Sequence, residues 1–262
     1  MLLVMDIGNT NIKLGLFKQG KSELFASWRV STLASRTADE FGMLFLDLLG
    51  SKGVGLSDIK GAIMSSVAPS VNYTIEHMCR YYLKRAPFIV DSNTDCGIQI
   101  NYDRPSDLGS DRIVTAAAAY ALYGGPVIIV DFGSATTFNA VDKNGVFLGG
   151  AISPGIKTAT ESLVQTAAKL PRIELVPTEN VIGTNTVEGM QAGVVLGYTG
   201  LVHYMLKRFR RVPGLEGAKV IATGGLSELI EKTEPELIDI IDRALALHGL
   251  RIIYDRIQKT KR

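Results

Sequence analysis

The sequence predicts a mixed α/β protein built from two similar halves, and three observations carry that expectation. Apolar runs of strand length alternate with longer segments of helical period. The order strand, strand, strand, helix, strand occurs near the N-terminus and starts again after residue 126. Each half also opens on a strand that delivers an aspartate into a glycine-bearing turn, "LVMDIGNTNIKLGLF" at 3–17 and "IIVDFGSATTFNAVD" at 128–142. The repeat divides the chain into residues 1–118 and 119–262, and 262 residues suffice for a sizeable core.

The elements of the first half follow in order. Strands are expected at 2–8, 11–17 and 24–30, with "KQGK" at 18–21 as a turn. Thr37 and Glu40 have the spacing of a capping box, so a helix begins there and continues to about residue 50. A strand at 59–67, a helix started at Pro69 and a strand at 87–91 complete the half. In the second half, 126–141 is strand, turn and strand, "DKNG" at 142–145 signals a two-residue hairpin, and "VFLGGAIS" is the third strand. Helices are expected near 156–170 and 187–210, a strand at 219–225, and then a helix to the basic tail "RIQKTKR", which reads as a solvated helix end.

Composition narrows the function classes. With 46% hydrophobic and 21% charged residues the chain is of ordinary globular composition, and a net charge of +2 gives no footprint for nucleic acid or an anionic membrane. The uncharged run "IVTAAAAYALYGGPVIIV" at 113–130 is long enough to span a bilayer. Gly124, Gly125 and Pro126 interrupt it, so it reads as a buried helix, a turn and a strand. The N-terminus lacks a charged n-region and cleavage site, and a cytoplasmic location is expected. Cys79 and Cys96 are sparse and lack CxxC spacing, which suits a reducing compartment without excluding a disulfide. His77, His203 and His248 form no zinc-binding pattern.

The two turns carry the chemistry. Glycine lets backbone amides approach an anion, while Thr10, Asn11 and Ser134 add short donors. Asp6 and Asp131 would repel a phosphate, so their role is to hold a cation or its waters against it. Lys13 can reach the same phosphates from the next strand. A strand-ending Gly pair, Gly224 and Gly225, offers a flat surface for a base. One such turn alone could be a polar hairpin; two in a repeated frame favour a bound nucleotide.

The Asp-x-Gly in each half with a late Gly-Gly resembles the actin/Hsp70/sugar-kinase superfamily. Five blocks, "DIGNTNIKLG" (6–15), "YDRPSDLGSDR" (102–112), "DFGSATTFN" (131–139), "GGAISPG" (149–155) and "GTNTVEGMQAG" (183–193), are together similar to the type III pantothenate kinases, in that family's order. Ser134 replaces the threonine common there and keeps the hydroxyl. The resemblance implies two ribonuclease H-like halves, each a mixed sheet flanked by helices, with the site in the cleft between them. It implies ATP-dependent phosphorylation of pantothenate to 4′-phosphopantothenate, the first step toward coenzyme A. The cofactors implied are ATP, Mg²⁺ or a similar divalent ion, and K⁺ or NH₄⁺.

Residue by residue, the resemblance assigns ATP to Asp6, Ile7, Gly8, Asn9, Thr10, Asn11, Ile12, Lys13, Ser134, Gly224 and Gly225. It assigns pantothenate to Tyr102, Gly109, Ser110, Asp111, Arg112 and Thr186. Asp111 becomes the general base; by its position alone it would read as the N-cap of a helix at 111–123. Thr186 likewise reads as the N-cap of the long helix, and the family would have it serve the neighbouring subunit. Asp131 matches the monovalent-cation position and Asp6 the divalent one, although sequence alone leaves the two exchangeable. The family is homodimeric, and Val187, Met190, Val194, Val195, Tyr198 and Val202 give helix 187–210 an apolar face for that contact. Two other readings stay open: a non-catalytic regulatory protein of the same fold, and another phosphotransferase. Asp111 and Arg112 speak against the first, the 102–112 block against the second.

Overall fold

The structure, a computed structural model, describes residues 1–260; the last two residues of the basic tail lie outside the described residues. In chain order the elements are β1 (Leu2–Ile7), β2 (Asn11–Phe17), β3 (Leu24–Ser31), α1 (Ala38–Gly50), β4 (Gly61–Ser66), α2 (Pro69–Tyr82), β5 (Phe88–Ile89) and β6 (Gln99–Ile100). There follow α3 (Ser110–Tyr123), β7 (Val127–Phe132), β8 (Ala135–Val141), β9 (Val146–Pro154), α4 (Ile156–Thr166), α5 (Thr186–Gln191) and α6 (Gly197–Phe209). The chain ends with β10 (Lys219–Gly224), α7 (Ser227–Thr233), β11 (Ile240–Ile241) and α8 (Leu245–Thr260).

Two compact units result. The first comprises Met1–Ile98, Asp103–Ala118 and the chain from Ala244 onward; the second comprises Gln99–Tyr102 and Ala119–Arg243. The first sheet has the order β3-β2-β1-β4-β5, and the second β11-β10-β7-β8-β9-β6. Leaving aside β6, the second is the first again: a three-strand antiparallel meander, then two parallel strands added at its first strand. The fold is therefore mixed α/β with two mixed sheets flanked by helices, as the sequence predicts.

Strand alternation sets which residues meet the helices. In the first unit Leu3, Met5, Ile7, Ile12, Leu14 and Leu16 join Phe41 and Phe45 of α1 and Val71, Ile75 and Met78 of α2 in one buried cluster. Leu2, Val4 and Asp6 point to the opposite face, where Leu247 of α8 approaches Gly15. Helix α1 starts as expected: the Glu40 amide donates to Thr37 Oγ1 at 3.3 Å and the Thr37 amide to Glu40 Oε2 at 2.7 Å. In the second unit Ile128, Val130, Phe132, Phe138, Val220 and Ala222 pack on Val195, Tyr198, Val202 and Leu206.

Several expectations change in detail. The run 113–130 is α3, a turn and β7, as read. The "DKNG" turn is a three-residue loop: Asp142 pairs with Val146, and Gly145 takes φ +81°. Asp142 Oδ1 also accepts the Asn144 and Val146 amides, each at 2.8 Å, which stabilises the longer loop over a two-residue one. The long helix 187–210 is interrupted by a π-helical turn at Ala192–Leu196. Its N-cap is Asn185, whose side chain accepts the Glu188 amide at 3.0 Å, and Thr186 is the first helical residue. Of the apolar face proposed for dimer contact, Val195, Tyr198 and Val202 lie in the second unit's own core. Helix α7 and strand β11 intervene before α8. Cys79 and Cys96 are free and buried, and burial pushes the Cys79 thiol up to about 12. Among the described residues no helix is long and apolar enough to cross a membrane.

Candidate active site

In the first unit, β1 and β2 pair Ile7 with Ile12, leaving Gly8, Asn9, Thr10 and Asn11 as the turn. The Gly8 amide donates to the Asn11 carbonyl at 3.0 Å. Thr32 pins the turn from β3's end: its Oγ1 donates to the Gly8 carbonyl at 2.7 Å and its amide to the Thr10 carbonyl at 3.0 Å. Two backbone carbonyls are thereby engaged from below, while Asn9 and Thr10 are exposed. A turn held this way presents amides and hydroxyls without rearrangement, the property a phosphate site needs.

Asp6 sits beneath that turn and is only 9% exposed. Its register partners are Lys13 on β2 and Ser65 on β4. Lys13 Nζ lies 3.7 Å from Oδ2, and Ser65 Oγ donates to Oδ1 at 3.0 Å. The buried carboxylate thus has both a cation and a hydroxyl donor.

The next residue of β4 fixes the substrate-side segment. Ser66 and Ser110 exchange hydrogen bonds: the Ser66 amide donates to Ser110 Oγ at 3.0 Å, and Ser110 Oγ donates to the Ser66 carbonyl at 3.1 Å. Ser65 and Ser66 therefore tie Asp6 and the start of α3 to one strand end. Asp111 lies in the first helical turn of α3, which begins at Ser110, not at its N-cap. Its Oδ1 accepts the Arg112 amide at 2.8 Å and folds over Gly109, where a Cβ would come within 2.5 Å of it. Arg112 is buried, 7% exposed.

In the second unit the turn is one residue shorter. Phe132 pairs with Thr136, leaving Gly133, Ser134 and Ala135 between them. The Gly133 amide donates to the Ala135 carbonyl at 3.0 Å, echoing Gly8. This turn is held by the start of α4: the Ser134 carbonyl accepts the Gly155 amide at 3.0 Å and Thr158 Oγ1 at 2.7 Å. A Cβ on Gly155 would stand 2.3 Å from the Gly133 carbonyl oxygen, so only glycine permits this approach. Asp131 has Thr137 and Thr223 as register partners. Gly224 follows at φ +92°, where a Cβ would meet the Phe132 carbonyl oxygen at 2.5 Å; Gly225 is exposed.

The structure thus gathers Asp6, the 7–13 turn and Gly109 to Arg112 in the first unit, and Asp131, Ser134, Gly224 and Gly225 in the second. Tyr102 lies elsewhere in that second unit, beside Phe147 at 6.3 Å between ring centroids, and Thr186 is exposed at the start of α5. Sequence reasoning missed Ser65, Ser66, Thr32, Thr158 and Gly155. Strand pairing brings Ser65, Ser66 and Thr32 to the first turn, and the start of α4 brings Gly155 and Thr158 to the second, although Gly155 ends the quoted "GGAISPG" block. A cavity of about 530 Å³ between α4 and residues 172–175, lined by Lys157, Glu161 and Arg172 among others, contains none of the predicted site residues.

Two sheets of one strand order, each carrying an aspartate ahead of a glycine turn, define a protein of the actin-like ATPase fold. Solved structures agree. A protein described as a Baf family transcriptional activator from Campylobacter jejuni is 19% identical, with a TM-score of 0.60, covering 98% of this chain and 99% of its own. The activator of 2-hydroxyisocaproyl-CoA dehydratase from Clostridium difficile, solved with bound ADPNP, is 14% identical at 0.59, covering 99% and 96%. Component A of (R)-2-hydroxyglutaryl-CoA dehydratase from Acidaminococcus fermentans is 14% identical at 0.58, covering 97% and 96%. The chain belongs to the type III pantothenate kinase family, whose sequence model matches residues 2–208. Membership places it among ATP-dependent phosphotransferases acting on a small molecule.

Proposed function

We infer that the protein phosphorylates pantothenate to 4′-phosphopantothenate with ATP. The observation that carries the reading is the placement of Asp111 in a helix start that Ser110 fastens to β4, next to Ser65 and Asp6. Phosphoryl transfer demands little covalent work from the protein; it demands two positioned anions, compensated charge and an acceptor for the alcohol proton. The turns at 7–13 and 133–134, with Gly224 and Gly225, are assigned to ATP. Asp111 accepts the proton of the pantothenate hydroxyl, and Arg112 pairs with the pantothenate carboxylate through its guanidinium fork. Tyr102, Gly109, Ser110 and Thr186 complete the acceptor's contacts.

The donor set fits cations that borrow ligands from phosphate. Among the described residues no three His, Cys, Asp or Glu side chains cluster as a metal site. One carboxylate per turn suits a Mg²⁺ at Asp6 that takes its other oxygens from phosphate and water. At Asp131, where two threonines stand in register, the oxygen donors suit K⁺ or NH₄⁺. These ions supply neutralisation of phosphate charge; Lys13 and the turn amides orient the nucleotide. The exposed apolar side chains Val181, Ile182 and Val187 around Thr186 support assembly as a homodimer.

The test is an ADP-release assay with pantothenate, with and without potassium. Turnover that requires pantothenate and rises with potassium is expected. Turnover on sugars or acetate with none on pantothenate overturns the substrate, and nucleotide binding without turnover on any acceptor favours a regulatory protein.

A further inference from the structure

Thr223 carries a hydroxyl that the protein leaves without a hydrogen bond. The residue is 1% exposed, and its Oγ1 is buried with no partner. Burying a hydroxyl without a partner is unfavourable, and valine has the same β-branched shape without that cost. The location gives the hydroxyl a purpose. Thr223 pairs with Asp131 across the parallel strands β10 and β7. Partners in register on adjacent strands stand about 4.8 Å apart and point to the same face. In the first sheet the matching pair is Ser65 beside Asp6, where the hydroxyl donates to the carboxylate at 3.0 Å. Both sheets therefore place a hydroxyl beside the aspartate, but only Ser65 uses it as a donor within the protein.

We propose that Thr223 Oγ1 and the Asp131 carboxylate are joint oxygen ligands of one monovalent cation that supports nucleotide binding. This rests on the assignment of a monovalent cation to Asp131. A hydroxyl whose proton is not directed at its neighbouring carboxylate can turn its lone pairs toward a cation held between the two. The large, weakly polarising monovalent ions accept such neutral oxygens alongside one carboxylate. The serine of the first sheet, already donating to Asp6, serves the opposite arrangement, in which carboxylate charge is balanced by Lys13.

The experiment measures the affinity of a fluorescent ATP analogue as potassium is titrated, for the wild-type chain, Thr223→Val, Thr223→Ser and Asp131→Asn. Melting temperature with and without potassium is followed in parallel. The expected result is a potassium midpoint raised about tenfold in Thr223→Val, equivalent to the loss of one modest ligand. Thr223→Ser should stay near wild type, and Asp131→Asn should lose the dependence. In potassium-free buffer Thr223→Val should melt no lower than wild type, because the unpartnered hydroxyl is gone. Should the valine variant misfold, Thr223→Ala serves for the same midpoint. A wild-type midpoint in Thr223→Val or Thr223→Ala, with dependence lost in Asp131→Asn, overturns the Thr223 assignment alone. Wild-type binding indifferent to potassium overturns it together with the cation at Asp131.

Discussion

Asp6 and Asp131 stand at the same point of two sheets with the same strand order, one beside a lysine and a serine, the other beside two threonines. The turns above them differ as well. The first is longer and pinned by Thr32 from the end of its own meander; the second is shorter and held by the start of α4. The two sheets share the backbone device and differ in its chemical neighbours. Equivalent carboxylates can therefore serve different ions, because the adjacent strands decide what shares each carboxylate's face.

Eight substitutions would break or sharpen that comparison. The largest effect should come from outside both turns: Asp111→Asn should lower kcat by about 10³-fold, the range of a general base. Nucleotide affinity measured by titration should hold, and near-normal turnover would remove Asp111 from that role. Next, the two aspartates should separate by ion. Asp6→Asn should raise the Mg²⁺ needed for half-maximal turnover about tenfold, since one carboxylate is lost from the ion's ligands. Asp131→Asn should act on potassium dependence and leave the Mg²⁺ midpoint alone; a reversed pattern would exchange the assignments.

The supports of the turns should also rank. Gly155→Ala forces a Cβ against the Gly133 carbonyl and should cost ~3 kcal/mol in denaturant unfolding, with weaker nucleotide binding. Gly8→Ala meets the Asn11 carbonyl at 3.1 Å and should cost under ~1 kcal/mol. Equal losses would show that the second turn relaxes as readily as the first. Ser65→Ala removes a donor from a buried carboxylate and should cost about 2 kcal/mol, whereas Thr223→Val should cost nothing without potassium.

The smallest effect lies in the second unit alone. Tyr123 donates to Asp242 at 3.0 Å, and burial first, then that carboxylate, pushes its phenol up to about 12. A raised folded pKa gives stability that is complete below pH 10 and lost as pH climbs from 10 to 12. Tyr123→Phe should flatten the fall in melting temperature over that window and change little at pH 7. An unchanged slope would discount the pair, whose tyrosine is largely solvent-screened.

Much of this was legible in the residues. Strand alternation, the Thr37 capping box and the repeated Asp-Gly turns depend on neighbours close in sequence, so they can be read without knowing the fold. Family blocks extended that reading to Asp111 and Arg112. The "DKNG" loop is one residue longer than its composition predicts, because the Asp142 side chain captures two amides, a choice invisible in the turn's composition. The apolar period of helix 187–210 suits a partner surface and a core helix alike, and Val195, Tyr198 and Val202, half of the six named residues, belong to the second unit's core.

By itself the sequence determined that two strands end in aspartate above glycine turns and that a helix start carries Asp111. The tertiary structure decided what each aspartate faces. Lys13, Ser65, Thr137 and Thr223 reach them only through strand register, which is set by pairing between segments as far apart as Asp131 and Thr223. A side chain's chemistry is local to its residue, whereas the company it keeps on a sheet face follows from how distant strands align.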